Sequence, residues 1–233
     1  MSANSDAAIA GLHQFFPKRA RDYGEYLRVS NKIVRKLDDW REQQLLRFID
    51  LLKENANDLE AGYAEERITK LAWAARNLLE LSIWVDYCNL SDGHAKQFRD
   101  DSARDLLGFA KTAKSLYLQV PRPILDFDTS IQEIVALAQN TFGMSSLDDD
   151  FKKVATAAQN VGRQQKFLAL NKLFSKFAHP TAIAMNFIVP AEADTAIREM
   201  FLVNGVRSAV ESLRTIGNVV LRHFPDLQKS TTP

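Results

Sequence analysis

Arg76 and Glu80 stand four positions apart in Leu71–Val85, LAWAARNLLELSIWV, a stretch with apolar residues on nearly every side. At about 100° per residue, the two lie about 40° apart on one helical face. Charged residues are rarely buried unless paired. They either satisfy each other inside the fold or line a cleft with other polar groups. A second set lies in the segment ending NKLFSKFAH. There Asn171, Ser175 and His179 are spaced by four and form a polar stripe, Lys172 and Lys176 flank it, and Phe167, Leu170, Phe174 and Phe177 occupy the opposite arc. A histidine at a helix end is placed where cations are favoured, and its side chain is the default general acid or base near neutral pH. The same patterns also describe a buried ion pair that fixes helix register and the wet face of an amphipathic helix, so both readings stay open.

The elements that must position these residues read as all helix. The chain has only 9 Gly and 7 Pro, and no run alternates apolar with polar residues in strand fashion. A short helix is predicted from Asp6 to Phe16, ending at Pro17. Ser30 or Asn31 would cap a longer one to Asn57, with Ile33, Leu37, Trp40, Leu45, Phe48, Ile49 and Leu52 on its apolar face. The central helix spans Ala64–Leu90, and Asp92 would cap the next, which runs to Tyr117 and is broken at Val120-Pro121-Arg122-Pro123. Thr129–Phe142 follows. Ser146-Leu147-Asp148-Asp149 has the form of a capping box opening a helix that ends near Gly162. Arg163–Ala178 stops at His179-Pro180. The last helix covers Ala191–His223, with Ile197, Phe201, Val206, Val210, Leu213, Ile216 and Val220 facing the core. With no clear linker, the expectation is one domain: an N-terminal helical extension (1–62), a multi-helix core (63–226) and a frayed tail (227–233).

Composition narrows the function classes. The chain has 233 residues, 46% apolar and 25% charged, with a net charge of +1, so its overall charge argues neither for non-specific DNA binding nor for an anionic membrane. The N-terminus lacks the order of a signal peptide, and no apolar stretch reaches the ~18–20 residues that cross a bilayer. One cysteine, Cys88, cannot form an internal disulfide. A cytoplasmic protein without membrane partners is expected.

The residues R-N-L-L-E (Arg76 to Glu80), V-A-T-A-A-Q-N-V-G (Val154 to Gly162) and L-N-K-L-F-S-K-F-A-H-P-T (Leu170 to Thr181) resemble the HEPN superfamily of helical domains. They resemble more specifically a bacterial family of that neighbourhood, with an Arg-x-x-x-Glu helix and a later Ser-x-x-x-His-Pro element. The resemblance covers about residues 64–188. It implies a HEPN-like helical core, a nucleic-acid-directed role in bacterial defence or toxin–antitoxin function, RNA as a partner, pairing of two protomers and, in many such domains, metal-independent ribonuclease activity. The usual motif there is Arg, four to six residues, then His on one helix. This chain departs from it: Lys172 stands six residues inside His179, and the guanidinium would have to come from Arg76 on another helix.

On that reading His179, Arg76 and Glu80 are the catalytic group. His179 moves the 2′-hydroxyl proton, Arg76 neutralises phosphate charge, and Glu80 holds Arg76. Asn171, Lys172, Ser175 and Lys176 contact substrate. No cofactor or metal is expected. His13, His94, His179 and His223 are scattered, Asp148–Asp150 reads as an acidic helix start, and there is no glycine-rich phosphate loop or Gly-x-Ser-x-Gly. The basic run from Lys18 to Lys36 reads as a solvated face. The rival reading is a non-catalytic helical protein that binds a partner protein, with Arg76, Glu80 and His179 as a structural polar core.

Overall fold

The computed structural model describes residues 3–117, 126–147 and 152–226. These form nine helices and no strand: α1 (Ala3–Val34), α2 (Asp39–Ala64), α3 (Ile68–Leu90), α4 (Asp92–Tyr117), α5 (Phe127–Asn140), α6 (Val154–Asn160), α7 (Gln164–Ala178), α8 (Ala182–Ala193) and α9 (Thr195–His223). The expectation of an all-α multi-helix fold holds. Two compact units divide the chain, one of Met1–Asn89 with Val154–Pro233, the other of Leu90–Lys153. Residues 1–62, expected as an N-terminal extension, belong to the first of these units.

The N-terminal helix corrects the sequence reading most. α1 does not end at Phe16 but passes through Pro17. Proline removes one backbone N–H and crowds the preceding turn, at about 3 kcal/mol in a helix interior. Burial offsets this. Leu12, Phe16, Ala20, Gly24, Leu27 and Asn31 recur every three or four positions and are all buried, a continuous face on both sides of the proline that packs against α9 and α2. Each large apolar side chain so buried contributes about 1.5–3 kcal/mol.

The helix predicted from Ser30 or Asn31 to Asn57 is likewise two helices joined by a turn. Arg35 adopts φ 45°. Buried Asn31, instead of capping a helix start, accepts from Leu37 N at 2.8 Å and donates to Glu42 at 2.6 Å. Ile33 is therefore exposed, whereas Leu45, Phe48, Ile49 and Leu52 are buried as expected.

α3 is the central helix. It starts at Ile68, four residues later than predicted, after Glu66 turns the chain at φ 56°. Leu71, Leu78, Leu79 and Ile83 are essentially inaccessible to solvent. The α2–α3 corner depends on Gly62, where a Cβ would sit 2.8 Å from the Leu71 backbone nitrogen. α9 is crossed in the same close manner: a Cβ at Gly205 would lie 2.7 Å from Leu59, and one at Gly217 would lie 2.5 Å from the Tyr23 ring.

Several boundaries shift for identifiable reasons. Ser91, not Asp92, caps α4, its hydroxyl accepting from His94 N. α5 spans Phe127–Asn140, not Thr129–Phe142, because Asp126 accepts from Asp128 N and Thr129 N. Among the described residues, the helix predicted to open at Ser146 is seen as Val154–Asn160. Asp148, Asp149 and Asp150 lie outside the described residues, as do the Pro121–Pro123 break and the tail 227–233. Gly162, at φ 70°, ends α6 with an Arg163 N to Ala158 O bond, the left-handed glycine stop expected of a helix C-terminus.

α8 has no counterpart in the sequence reading, and α9 begins at Thr195 rather than Ala191, capped by Asp194. In the smaller unit, α4 packs on α5 and the turn that follows it, through Ala103, Ala138 and Met144 and through Leu107, Ala110 and Ile134. Among the described residues, no helix is long and apolar enough to cross a membrane.

Candidate functional site

Arg76 on α3 meets three side chains. Its Nε donates to Glu80 Oε1 at 3.0 Å and to Asn171 Oδ1 on α7, also at 3.0 Å. Its Nη1 lies 2.5 Å from His179 Nε2. The sequence places Arg76 and His179 103 positions apart, and the fold brings them into contact. The local cause is Pro180. A residue before proline is pushed out of the helical region, and His179 accordingly takes φ −122° and ψ 158° as the C-cap of α7. Its exposed ring packs edge-on to Trp73, with centroids 6.1 Å apart.

The electrostatics follow from donor counting. A guanidinium has five N–H donors and no acceptor, so Nε2 of His179 accepts, and the ring proton of the neutral tautomer lies on Nδ1. The single Nε–H is shared by Glu80 and Asn171, and one Nη1 donor goes to His179. The remaining outer donors bond none of the described groups. Arg76 is 24% exposed and Glu80 29%, so the pair is neither sealed nor fully solvated. The arrangement therefore offers an open guanidinium edge beside a histidine, suited to an anion with planar or tetrahedral oxygens.

The other predicted residues divide. Asn171 joins the cluster. Ser175 does not: its hydroxyl donates to its own helix at Asn171 O, 2.6 Å away. Lys172 is exposed and Lys176 half-buried on α7, with the Lys176 carbonyl accepting from Thr181 Oγ1 at the entry to α8.

Two features escaped the sequence reading. Trp73, 48% exposed, lies three positions before Arg76 and forms the other wall beside His179; its spacing was a usable signal. The second is an ion network further along α3. Asp86 pairs with Arg163 through one carboxylate oxygen and accepts from Thr215 Oγ1 on α9 at 3.0 Å through the other. Arg163 also donates to buried Ser82 at 3.1 Å and reaches Glu211 at 3.8 Å.

The remaining candidates carry less chemistry. Lys18, Arg19, Arg21, Arg28, Lys32, Arg35 and Lys36 are all exposed. His13 pairs with Glu60, His94 with Ser91, and His223 with the Val219 carbonyl. Among the described residues no group of three or more His, Cys, Asp or Glu could hold a metal. Cys88 is buried, and burial pushes its thiol up to about 12, against a smaller opposite pull from Arg41. It lacks the thiolate character a nucleophile needs. No family model, curated protein or solved structure matches the chain.

Proposed function

We propose that this chain is a HEPN-like, nucleic-acid-directed protein that binds single-stranded RNA across its α3–α7 face and cleaves it without a metal. The observation that carries this reading is the contact between Arg76 and His179, with outer guanidinium donors left open. Around it stand an exposed tryptophan face, which can stack a base, and Lys172 on the adjoining helix, a cation for the neighbouring phosphate. The bacterial defence or toxin–antitoxin setting, and the pairing of two protomers, belong to the family resemblance.

The chemistry runs through substrate-driven exchange of partners. A phosphate takes the Arg76 fork and releases His179 Nε2, whose lone pair then accepts the 2′-hydroxyl proton. The 2′-oxygen attacks phosphorus, and the bond to the 5′-oxygen breaks. That oxygen takes the proton back from the imidazolium. Arg76 stabilises the extra charge on the phosphoryl oxygens, and Glu80 and Asn171 hold the guanidinium in place. The products are a 2′,3′-cyclic phosphate and a 5′-hydroxyl.

The test is cleavage of end-labelled single-stranded RNA in excess chelator. Wild-type protein should release cyclic-phosphate ends, and His179→Ala should lower the rate by at least about 10²-fold while the melting temperature barely moves. Equal cleavage by the two proteins refutes the catalytic assignment. A second reading, a non-catalytic module for a partner protein, is favoured by the exposed apolar side chains of α8, Ile183, Met185 and Phe187. It is the better account if wild-type protein neither cuts nor binds RNA.

A further inference from the structure

We propose that a pocket between α1 and α9, sharing no residue with the α3–α7 cluster, binds a small carboxylate with an apolar body, of medium-chain acyl or aryl type. The cavity measures about 420 Å³, within the range of small-molecule sites. Its α1 wall is one stripe at a spacing of four: Gly11, Phe15, Arg19 and Tyr23. Its α9 wall is Val210, Leu213 and Arg214.

Three observations specify the occupant. The walls combine the aromatic rings of Phe15, Phe16 and Tyr23 with Val210 and Leu213, and Phe15 is 62% exposed at an open rim. Two cations belong to the lining, and neither Arg19 nor Arg214 has an ion-pair or hydrogen-bond partner among the described residues. Guanidinium forks of this kind match a carboxylate. Tyr23 closes the end of the pocket, its ring and hydroxyl resting on the bare backbone of Gly217, and the hydroxyl has no hydrogen-bond partner among the described residues. The described lining offers no carboxamide or carboxylate to read the edge of a nucleobase. Its chemistry is therefore that of an anionic head on an apolar body.

Gly11 leaves part of the space unfilled: a Cβ built there meets nothing within 4 Å. This gives a variant that blocks the pocket without disturbing the fold, since leucine is a better helix former than glycine. Calorimetric titration of the full chain should show decanoate binding at one site, and decan-1-ol binding at least tenfold more weakly. Gly11→Leu should abolish decanoate binding at an unchanged or higher melting temperature and leave RNA affinity as in the wild type. Arg19→Gln with Arg214→Gln, both exposed positions, should lower decanoate affinity at least tenfold. Failure of decanoate to bind, equal affinity for the alcohol, or undiminished binding by Gly11→Leu each overturns the proposal.

Discussion

Removing Arg76 and removing Glu80 should have unequal effects, and the inequality follows from the geometry. Glu80 accepts one bond from Nε, and that N–H is shared with Asn171 at the same 3.0 Å distance. Glu80→Ala leaves the guanidinium without its counter-charge but still hydrogen-bonded to Asn171 and His179 and open to solvent, so the charge stays solvated. Breaking a fully buried pair costs about 3–5 kcal/mol, while an exposed pair is worth about 0–1 kcal/mol. At roughly a quarter exposure with a surviving partner, the loss should be about 1 kcal/mol. In a chain of this size that corresponds to about 2–4 °C of melting temperature. Arg76→Ala strips a donor from Glu80, Asn171 and His179 together and deletes the α3–α7 tie. It should cost about 2 kcal/mol, or about 4–8 °C. Thermal melts of the two single variants and the double variant decide the matter. The double variant should melt with Arg76→Ala, because Glu80 acts only through the arginine. A larger drop for Glu80→Ala than for Arg76→Ala, or additive losses in the double variant, would refute the shared-donor geometry.

Three further outcomes are expected. Gly62→Ala gains up to about 1 kcal/mol of helix propensity but drives a Cβ to 2.8 Å from the Leu71 backbone. Since backbone cannot rotate aside, net destabilisation of about 1–3 kcal/mol should appear in chemical denaturation. Trp73→Ala should weaken single-stranded RNA binding by about 1–3 kcal/mol with little change in melting temperature, as read by fluorescence anisotropy; unchanged affinity would remove the stacking role. For Cys88 the native thiol sits at about 12, above the ordinary 9.0. The unfolded chain therefore loses its proton first, and stability falls as pH climbs from 9.0 to about 12. Cys88→Ala should flatten that limb of the pH–stability curve, and native protein at pH 8 should resist thiol alkylation.

How much could be read from the sequence depended on whether a signal was local. α3, α7 and the C-terminal end of α9 were legible because each carries a strong apolar pattern with a marked stop: Leu90 before a turn, Pro180, and the end of an amphipathic run at His223. Pro17 misled because a proline is a local signal, whereas the buried face that overrides it is set by packing on α9 and α2. α8 was missed for the opposite reason. Its sequence, AIAMNFIVPAEA, has almost no polar face, so it shows no helical period. Within the candidate site, residue types and spacing singled out Arg76, Glu80, Asn171 and His179. They could not reveal that Ser175 turns to its own backbone, or that Asp86, Arg163 and Thr215 form a second network across separations of 77 and 129 positions.

That second network bears on the first. The ties between α3 and α7 run in antiparallel order: Asp86 is tied to Arg163 at the start of α7, and Arg76 to Asn171 within it and His179 at its end. Ten residues of α3 separate the two ties, about 15 Å at the helical rise. Arg163, the N-cap of α7, and Asn171 are eight positions apart, about 12 Å at the same rise, a comparable span. A slip of one turn, about 5.4 Å, would break both ties at once. The polar groups of α3 therefore do two jobs that a wholly apolar helix could not. Hydrophobic burial is non-directional and tolerates sliding, while directional hydrogen bonds at two heights, one of them an ion pair, favour one register. With the register favoured, Pro180 further restrains the chain beyond Ala178 that carries His179. His179 is thus held against Arg76 by constraints lying mostly outside the pair itself, the preorganisation that the proposed cleavage would require.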